Sequence, residues 1–437
     1  MSTPRPGISI AIIGGGPGGL GTAIALSSLP FVTVRLYEQS PVPREVGAGI
    51  SIGRNAWNVL GLLGAADGVK GGKLGYSWQR NGRTGEAVVL DSADSAALAD
   101  KTAQEDLKFA GIRARRTRLQ RTLLEQIPQG VIEYGKKVVG VRDLGEEGVE
   151  LVFLDGETAR VDVVVGADGI RSIVRRTIFP DHHLHVTGNT AFRVLVPLSS
   201  IAHVTDFPAT NGWWHGLNGH IYFAPVDDES EPEPHLFEIT VRSYNEPITA
   251  DRTATWAIPV TNEKVLARTG EYDPRIQQVL RTVPEGEWRE FAMVAGPCLK
   301  DIIAWDKVAL IGDASHPLSG AFGSGAAFAM EDGWILAQAL ELEHARTSGK
   351  AAIIQNALQI FQRIRGPYYE RMYDFLATRE KHSQGTRKED DIDFDSVIKA
   401  RIAGLGFVAR GKMDWIYKND IAKVWNEYLV AEQTAKL

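Results

Sequence analysis

Residues 8–39 read ISIAIIGGGPGGLGTAIALSSLPFVTVRLYEQ, and the fold is decided there. The run 8–13 is almost wholly apolar, which predicts a parallel strand buried on both faces. Gly14, Gly16 and Gly19 then give G-x-G-x-x-G. The first glycine allows a tight turn, the second lets a pyrophosphate approach the backbone, and the third lets a helix pack on the strand. A helix over 19–29 would aim its free N–H groups and positive dipole end at those phosphates. A second strand over 32–37 ends in Glu38, roughly 20 residues past the glycines, where a carboxylate accepts hydrogen bonds from an adenosine ribose. A lone glycine pattern is weak. One that follows a strand, opens a helix and meets an acid after the next strand points to adenine-dinucleotide binding. The competing reading is a glycine-rich turn used only for close packing.

The bulk properties set the frame. With 437 residues the chain has room for two or three domains or one elaborated enzyme core. Apolar content of 44% and charged content of 23% fit a soluble globular protein. A formal net charge of −6, with no basic stripe to offset it, argues against nucleic-acid binding. The one cysteine, Cys298, excludes an intramolecular disulfide framework and thiol-rich zinc sites, and fits a reducing compartment. The start MSTPRPGISI has no charged region leading into an apolar signal segment. The apolar stretch 8–29 is broken by six glycines and a proline, so it does not read as a membrane span. The expectation is a soluble cytoplasmic protein, monomer or homodimer, with no nucleic-acid or membrane partner.

Further along, 41–52 is a loop whose Gly-Ala-Gly permits close backbone approach. Arg44 there is placed to meet a phosphate or a ring edge, or is a solvated loop arginine. Residues 54–63 form a short amphipathic helix, and 74–90 suggest strands crossing into another sheet. Residues 115–127 are helical by period, with Leu119, Leu123 and Ile127 on one face. The first turn is strongly basic, which opposes the helix dipole unless an anion lies nearby. Arg116 is therefore either a cofactor contact or part of a surface cluster. The run 131–165 breaks into short strands with turns at 145–148 and 155–156, and ends in a buried strand followed by Gly166-Ala-Asp168-Gly169.

Residues 189–292 change character, with alternating strands, tryptophans and prolines, and read as a separate antiparallel sheet. Arg193, flanked by apolar residues, needs an anionic partner: a substrate carboxylate or phenolate, or a structural acid. His182, His183 and His185 lack metal-ligand spacing and read as a solvated loop. In 307–340 a buried strand leads into Gly312-Asp313, then a glycine- and alanine-rich loop into a long helix. Asp313 would meet a polyhydroxylated chain, and the helix start near Gly325 and Ala326 an electron-rich ring or phosphate; the bland alternative is a capping aspartate. Beyond about residue 345 the chain reads as helical, with a charged loop expected over 379–395.

Three separated stretches thus fit one ligand: the first glycine turn with Glu38, Gly166-Ala-Asp168-Gly169, and Gly312-Asp313. In this order they resemble the single-component flavoprotein aromatic hydroxylases of the p-hydroxybenzoate hydroxylase fold, and within it the salicylate-hydroxylase-type enzymes, the fungal ones above all. The resemblance spans about residues 8–345. It implies an α/β chain: a Rossmann-like FAD-binding domain with an inserted antiparallel substrate sheet and C-terminal helices. The expected division is FAD domain 1–75, 101–188 and 293–345, substrate domain 76–100 and 189–292, and helices 346–437. It also implies that Gly14, Gly16 and Gly19 hold the FAD pyrophosphate and Glu38 the ribose. Arg44, Ala48 and Gly49 would lie along the cofactor, and Arg116 and Asp168 would contact it. Asp313 would bind the ribityl hydroxyls, and Gly325 and Ala326 the flavin. Two departures stand out: Gly320-Ala321-Phe322 replaces the proline and polar pair usual after the Gly-Asp turn, and Ala224 precedes Pro225 where some relatives carry a tyrosine.

No second strand–G-x-G-x-x-G–helix unit is present, so NADH or NADPH would bind transiently. The resemblance implies that reduced flavin takes O₂ and that a C4a-hydroperoxide passes one oxygen to an electron-rich ring. Ring attack needs a phenolate-like substrate, which Arg193 as a cation and His215 as a base would favour, with Tyr222 and Phe322 against the ring. The favoured substrate is a hydroxybenzoate, salicylate or 4-hydroxybenzoate, losing CO₂ where the attacked carbon carries the carboxylate. Alternatives are another phenol, an indole or polyketide aromatic, a flavin oxidase, or a non-catalytic carrier on the same fold.

Overall fold

The apolar run 8–13 forms the strand Ile8–Ile13, buried at every position but Ser9. The structure, a computed structural model, describes residues 6–42, 49–74, 78–88, 111–249, 257–385, 393–409 and 413–435. Among these, Ile8–Ile13 lies inside a six-stranded sheet in the spatial order Ile303–Ala304, Val308–Leu310, Val163–Gly166, Ile8–Ile13, Val32–Glu38, Ile132–Tyr134. All pairings are parallel except that of the edge strand Ile303–Ala304. The turns at Gly14, Gly166-Ala-Asp168 and Gly312-Asp313 therefore leave the carboxyl ends of three adjacent parallel strands, the edge at which such sheets take ligands.

The helix Pro17–Ser27 packs against the helix Gly325–Arg346 through small residues. A methyl group at Gly18 would stand 2.7 Å from Ala329 Cβ, and one at Gly333 would overlap Thr22. The backbones can come this close only because both positions lack a side chain.

A second sheet runs Ile258–Pro259, Arg289–Ala295, His185–Pro197, Leu236–Ser243, Gly219–Pro225, Gly212–His215, Trp78–Asn81. It is antiparallel except between Gly212–His215 and Trp78–Asn81. Its alternation sorts the side chains onto two faces. Phe192, Val194, Ile221, Phe223, Ile239 and Val241 bury one face against the helix Pro274–Arg281. The other carries Arg193, Thr240, Tyr222 and Trp213, which stand opposite one another across four strands. A three-stranded sheet of Gly49–Ile52, Ile112–Arg115 and Gly72–Lys73 lies against that polar face, since Gly49 abuts Glu238 of Leu236–Ser243.

The helix Lys350–Gly385 runs into the charged loop expected over 379–395. Charge was a poor loop signal there, because 376–381 (LATREK) is rich in strong helix formers. No helix of the described residues is long and apolar enough to cross a membrane.

Gly333→Ala should lower the free energy of unfolding by about 1–3 kcal/mol through overpacking against Thr22. Gly61→Ala, where a methyl meets nothing within 4 Å, should be neutral or stabilising by about half a kcal/mol. Urea unfolding of the two variants checks the contrast.

Candidate active site

The three turns are built for close approach. Gly14 has φ +107°, and a Cβ there would lie 2.5 Å from the Ala167 carbonyl oxygen, so only glycine serves. A Cβ at Gly19 would run into the Gly14 carbonyl, which is the helix-on-strand contact expected of the third glycine. Gly16 differs: its φ of −75° suits any residue, and a Cβ there would meet nothing within 4 Å. The bareness of Gly16 leaves backbone open at the mouth of the helix Pro17–Ser27. Glu38 borders it, accepting the Gly15 N–H (2.8 Å) and the Ser40 N–H (2.7 Å). Asp168 accepts the N–H groups of Ile173 (2.7 Å) and Val174 (3.2 Å), and its Oδ1 is buried with no partner. Burial pushes its carboxyl up, against the pull of these hydrogen bonds.

Arg116 and Asp313 face each other across the opening. Solvent reaches both side chains. Burial nevertheless lowers the Arg116 pKa, with Asp313 pulling the other way, and raises that of Asp313, with Arg116 and Arg175 pulling the other way. Side chains that touch solvent yet are stripped of much of their hydration line a deep cleft. The basic first turn of Arg116–Glu125 resolves accordingly. Arg115 and Arg118 bind Asp227, Arg118 also binds Glu231, and Arg116 has no hydrogen-bond or ion-pair partner among the described residues. One turn on, Gln120 reaches the Gly15 carbonyl at 3.5 Å, so this helix face borders the glycine loop. Across from it, Gly325 opens the helix Gly325–Arg346 with Ala326 next, no side chain capping it, and Asp313 3.9 Å from the place of a Gly325 Cβ.

Sequence reasoning missed Arg175. Fully buried, it donates to the carbonyls of Asp313 (3.1 Å), Ala314 (2.9 Å) and Ile170 (2.6 Å), and so clasps the second and third turns together. Its only signal was its place just after the Gly166-Ala-Asp168-Gly169 turn.

On the polar face of the second sheet, Arg113 binds Glu238 with two hydrogen bonds (2.5 and 2.8 Å) and Ser51 with a third (2.8 Å). Gly49 makes room for this pair, since a Cβ there would strike both partners. Arg193 lies beside them with its Nε buried and no hydrogen-bond or ion-pair partner among the described residues. Burial lowers its pKa to about 10, Glu238 raises it, and Arg113, Arg242 and Arg116 lower it. Tyr222, in the same cross-strand row, is buried under Trp213 (ring centres 4.6 Å apart) with the Arg113 guanidinium 5.3 Å from its ring.

Two expected site residues stand apart from Arg193. His215 is three strands away, about 14 Å by strand spacing, and its Nε2 bonds Gln79 Oε1 at 2.7 Å. It therefore cannot share one phenol oxygen with Arg193. Phe322 turns its ring inward onto Phe328 and Phe375, in a cluster with Leu318, Tyr369 and Met372. Nearby Gly320, by contrast, approaches Arg242. Arg44 and Ala48 lie outside the described residues. His182 bonds the Pro297 carbonyl (2.9 Å), and His185 starts a strand. Two surface hollows of about 400 and 430 Å³ lie elsewhere, one lined by Glu343, Arg346 and Glu432, the other by Ser200, His203 and Arg281.

The sequence from 116 to 357, more than half the chain, matches the family described as FAD binding domain. The chain belongs to that family. It is 27% identical over 336 residues to 6-hydroxynicotinate 3-monooxygenase of Pseudomonas fluorescens, covering 76% of this chain and 82% of that one. It is 25% identical over 448 residues to salicylate hydroxylase of Pseudomonas putida, covering 96% and 94%. The solved structure of a salicylate hydroxylase substrate complex superposes with a TM-score of 0.73 at 23% identity, over 96% of this chain and 97% of that one. The protein is an FAD-dependent enzyme of the aromatic monooxygenase class, with NAD(P)H as co-substrate. Its residues suit FAD: an open glycine backbone, an unpaired arginine opposite an aspartate, and an uncapped helix start.

Gly16→Ala tests the cleft directly. The apo protein should keep its stability within about 0.5 kcal/mol, while FAD affinity falls more than about tenfold because the methyl fills the pyrophosphate approach. Equilibrium unfolding and flavin fluorescence titration check the two halves.

His215 gives a pH signature. Burial, aided by Arg401, lowers its pKa to about 4. Below the ordinary histidine value the unfolded chain binds a proton that the native site refuses, so stability falls as pH drops from about 6.5 to 4, by on the order of 3 kcal/mol. His316, lowered to about 3, adds to this. Urea unfolding at pH 7 and 4.5 should show the loss, and His215→Gln should lessen it.

Proposed function

We propose that this enzyme hydroxylates an anionic phenol of the hydroxybenzoate kind, salicylate or 4-hydroxybenzoate, with release of CO₂ where the attacked carbon carries the carboxylate. The observation that carries this reading is Arg193. Glu238 is the carboxylate that acts on it, and Arg113 already holds both Glu238 oxygens. Arg193 is left as a partly desolvated cation with donors to spare, on the face turned toward the cleft. An unpaired buried cation is costly, and a bound carboxylate or phenolate relieves that cost.

FAD supplies the oxygen transfer once NAD(P)H has reduced it. The chain's residues do the rest. Arg193 orients the anionic end of the ring and favours its ionised form, which enriches the ring in electrons. Tyr222 and Trp213, their rings tilted 45° to each other, give the aromatic surface against which a ring lies. One oxygen atom enters the ring, the other leaves as water, and the nicotinamide provides two electrons. His215, low in basicity and three strands off, takes no part in this account.

The test is NAD(P)H consumption by the FAD-loaded protein over a panel of hydroxybenzoates, resorcinols and indoles, with products identified. Hydroxybenzoates should stimulate most and yield the decarboxylated diphenol. Arg193→Met should raise KM by about 10- to 100-fold, the worth of a charge-assisted hydrogen bond, with flavin content unchanged. Stimulation by neutral rings alone would overturn the reading.

A further inference from the structure

The third turn is held from the far end of the chain. Asp332, completely buried on the helix Gly325–Arg346, accepts the Gly312 N–H at 2.9 Å with Oδ2. Its Oδ1 accepts Arg365 Nε (2.6 Å) and the Tyr369 hydroxyl (2.5 Å), both from the helix Lys350–Gly385. Arg365 also donates to the Phe328 carbonyl (3.2 Å), Glu331 (3.2 Å) and the Tyr369 oxygen (3.0 Å). The opposite side of the turn is tied as well. Ser315 Oγ donates to the Gly312 carbonyl (3.0 Å) and meets His316 Nδ1 (2.5 Å), and the His316 ring stacks on Tyr369 at 3.6 Å.

Gly312 sits at φ +57°, and its neighbour Asp313 faces Arg116 across the cleft. A turn in that region is set by what its N–H and C=O bond to, and both lead to Tyr369. Arg365 and Tyr369 lie beyond residue 357, where the family match ends. Packing alone does not call for an arginine with four acceptors between two helices. A buried charge so fully bonded fixes one arrangement of its partners.

We propose that Arg365 and Tyr369 are positioning residues for the cofactor: through Asp332 they set the Gly312–Asp313 turn and the start of the helix Gly325–Arg346 in the geometry that receives FAD. This rests on the FAD assignment and not on the substrate reading, so binding measured without substrate separates the two.

Tyr369→Phe removes the hydroxyl that bonds Asp332. Tyr368→Phe, next to it, removes a buried hydroxyl that has no partner and serves as the control. FAD titration followed by flavin fluorescence should show about a tenfold weaker dissociation constant for Tyr369→Phe, and a change of less than about twofold for Tyr368→Phe. Thermal unfolding should show the Tyr369→Phe apo protein less stable than the Tyr368→Phe one but fully folded at the temperature of the titration, and the visible circular dichroism of bound flavin should change only in Tyr369→Phe. Arg365→Lys gives a second arm. Its ammonium keeps the charge but cannot span Asp332, the Phe328 carbonyl and Tyr369 together, so FAD affinity should again fall while the apo protein folds. Equal FAD affinity in both tyrosine variants overturns the proposal. So does a loss in Tyr369→Phe or Arg365→Lys that merely tracks a drop in apo stability.

Discussion

One carboxylate set among several arginines governs the substrate side of this protein. Glu238 lies fully buried on the second sheet, and Arg113 of the bridging strand Ile112–Arg115 takes both of its oxygens. That bidentate pair fastens the second sheet to the three-stranded sheet that lies against it. Arg193 beside it has no hydrogen-bond or ion-pair partner among the described residues, and Glu238 acts on it only through space. The same acid therefore joins the two sheets and, with both oxygens taken, leaves Arg193 without a direct partner among the described residues.

The fold was legible because its signals are local. An apolar strand, glycines at fixed spacing and an acid after the next strand depend on neighbours within about 30 residues, the span of one strand–helix–strand unit. The same holds for Gly166-Ala-Asp168 and Gly312-Asp313, each of which follows its own buried strand. What could not be read was register. That Arg193 stands opposite Thr240, and Thr240 opposite Tyr222, depends on pairings between residues 47 and 18 apart in sequence, and a slip of one residue would put each side chain on the other face. His215 looked as eligible as Arg193 for this reason: in sequence both are polar residues in apolar strands, and only the strand order separates them. The inward packing of Phe322 was illegible for a different cause. It lies in a loop with no period, so nothing local told its inward rotamer from an outward one.

The helix Gly325–Arg346 gathers these constraints. Its uncapped start faces the cleft beside Asp313, Asp332 fixes the turn that carries Asp313, and Gly333 admits Thr22 of the helix behind the first glycine turn. Two places along one rigid rod thus touch the Gly312-Asp313 turn and the helix that follows the first glycine turn. A helix transmits displacement along its axis with little loss, since each turn is bonded to the next. Shifting the rod to relieve a clash at Gly333 would also move Asp332 and the amides at 325–327. Packing and cofactor geometry are in this sense one constraint here, which is why small residues and a buried acid alternate along a helix whose sequence alone looks like plain core.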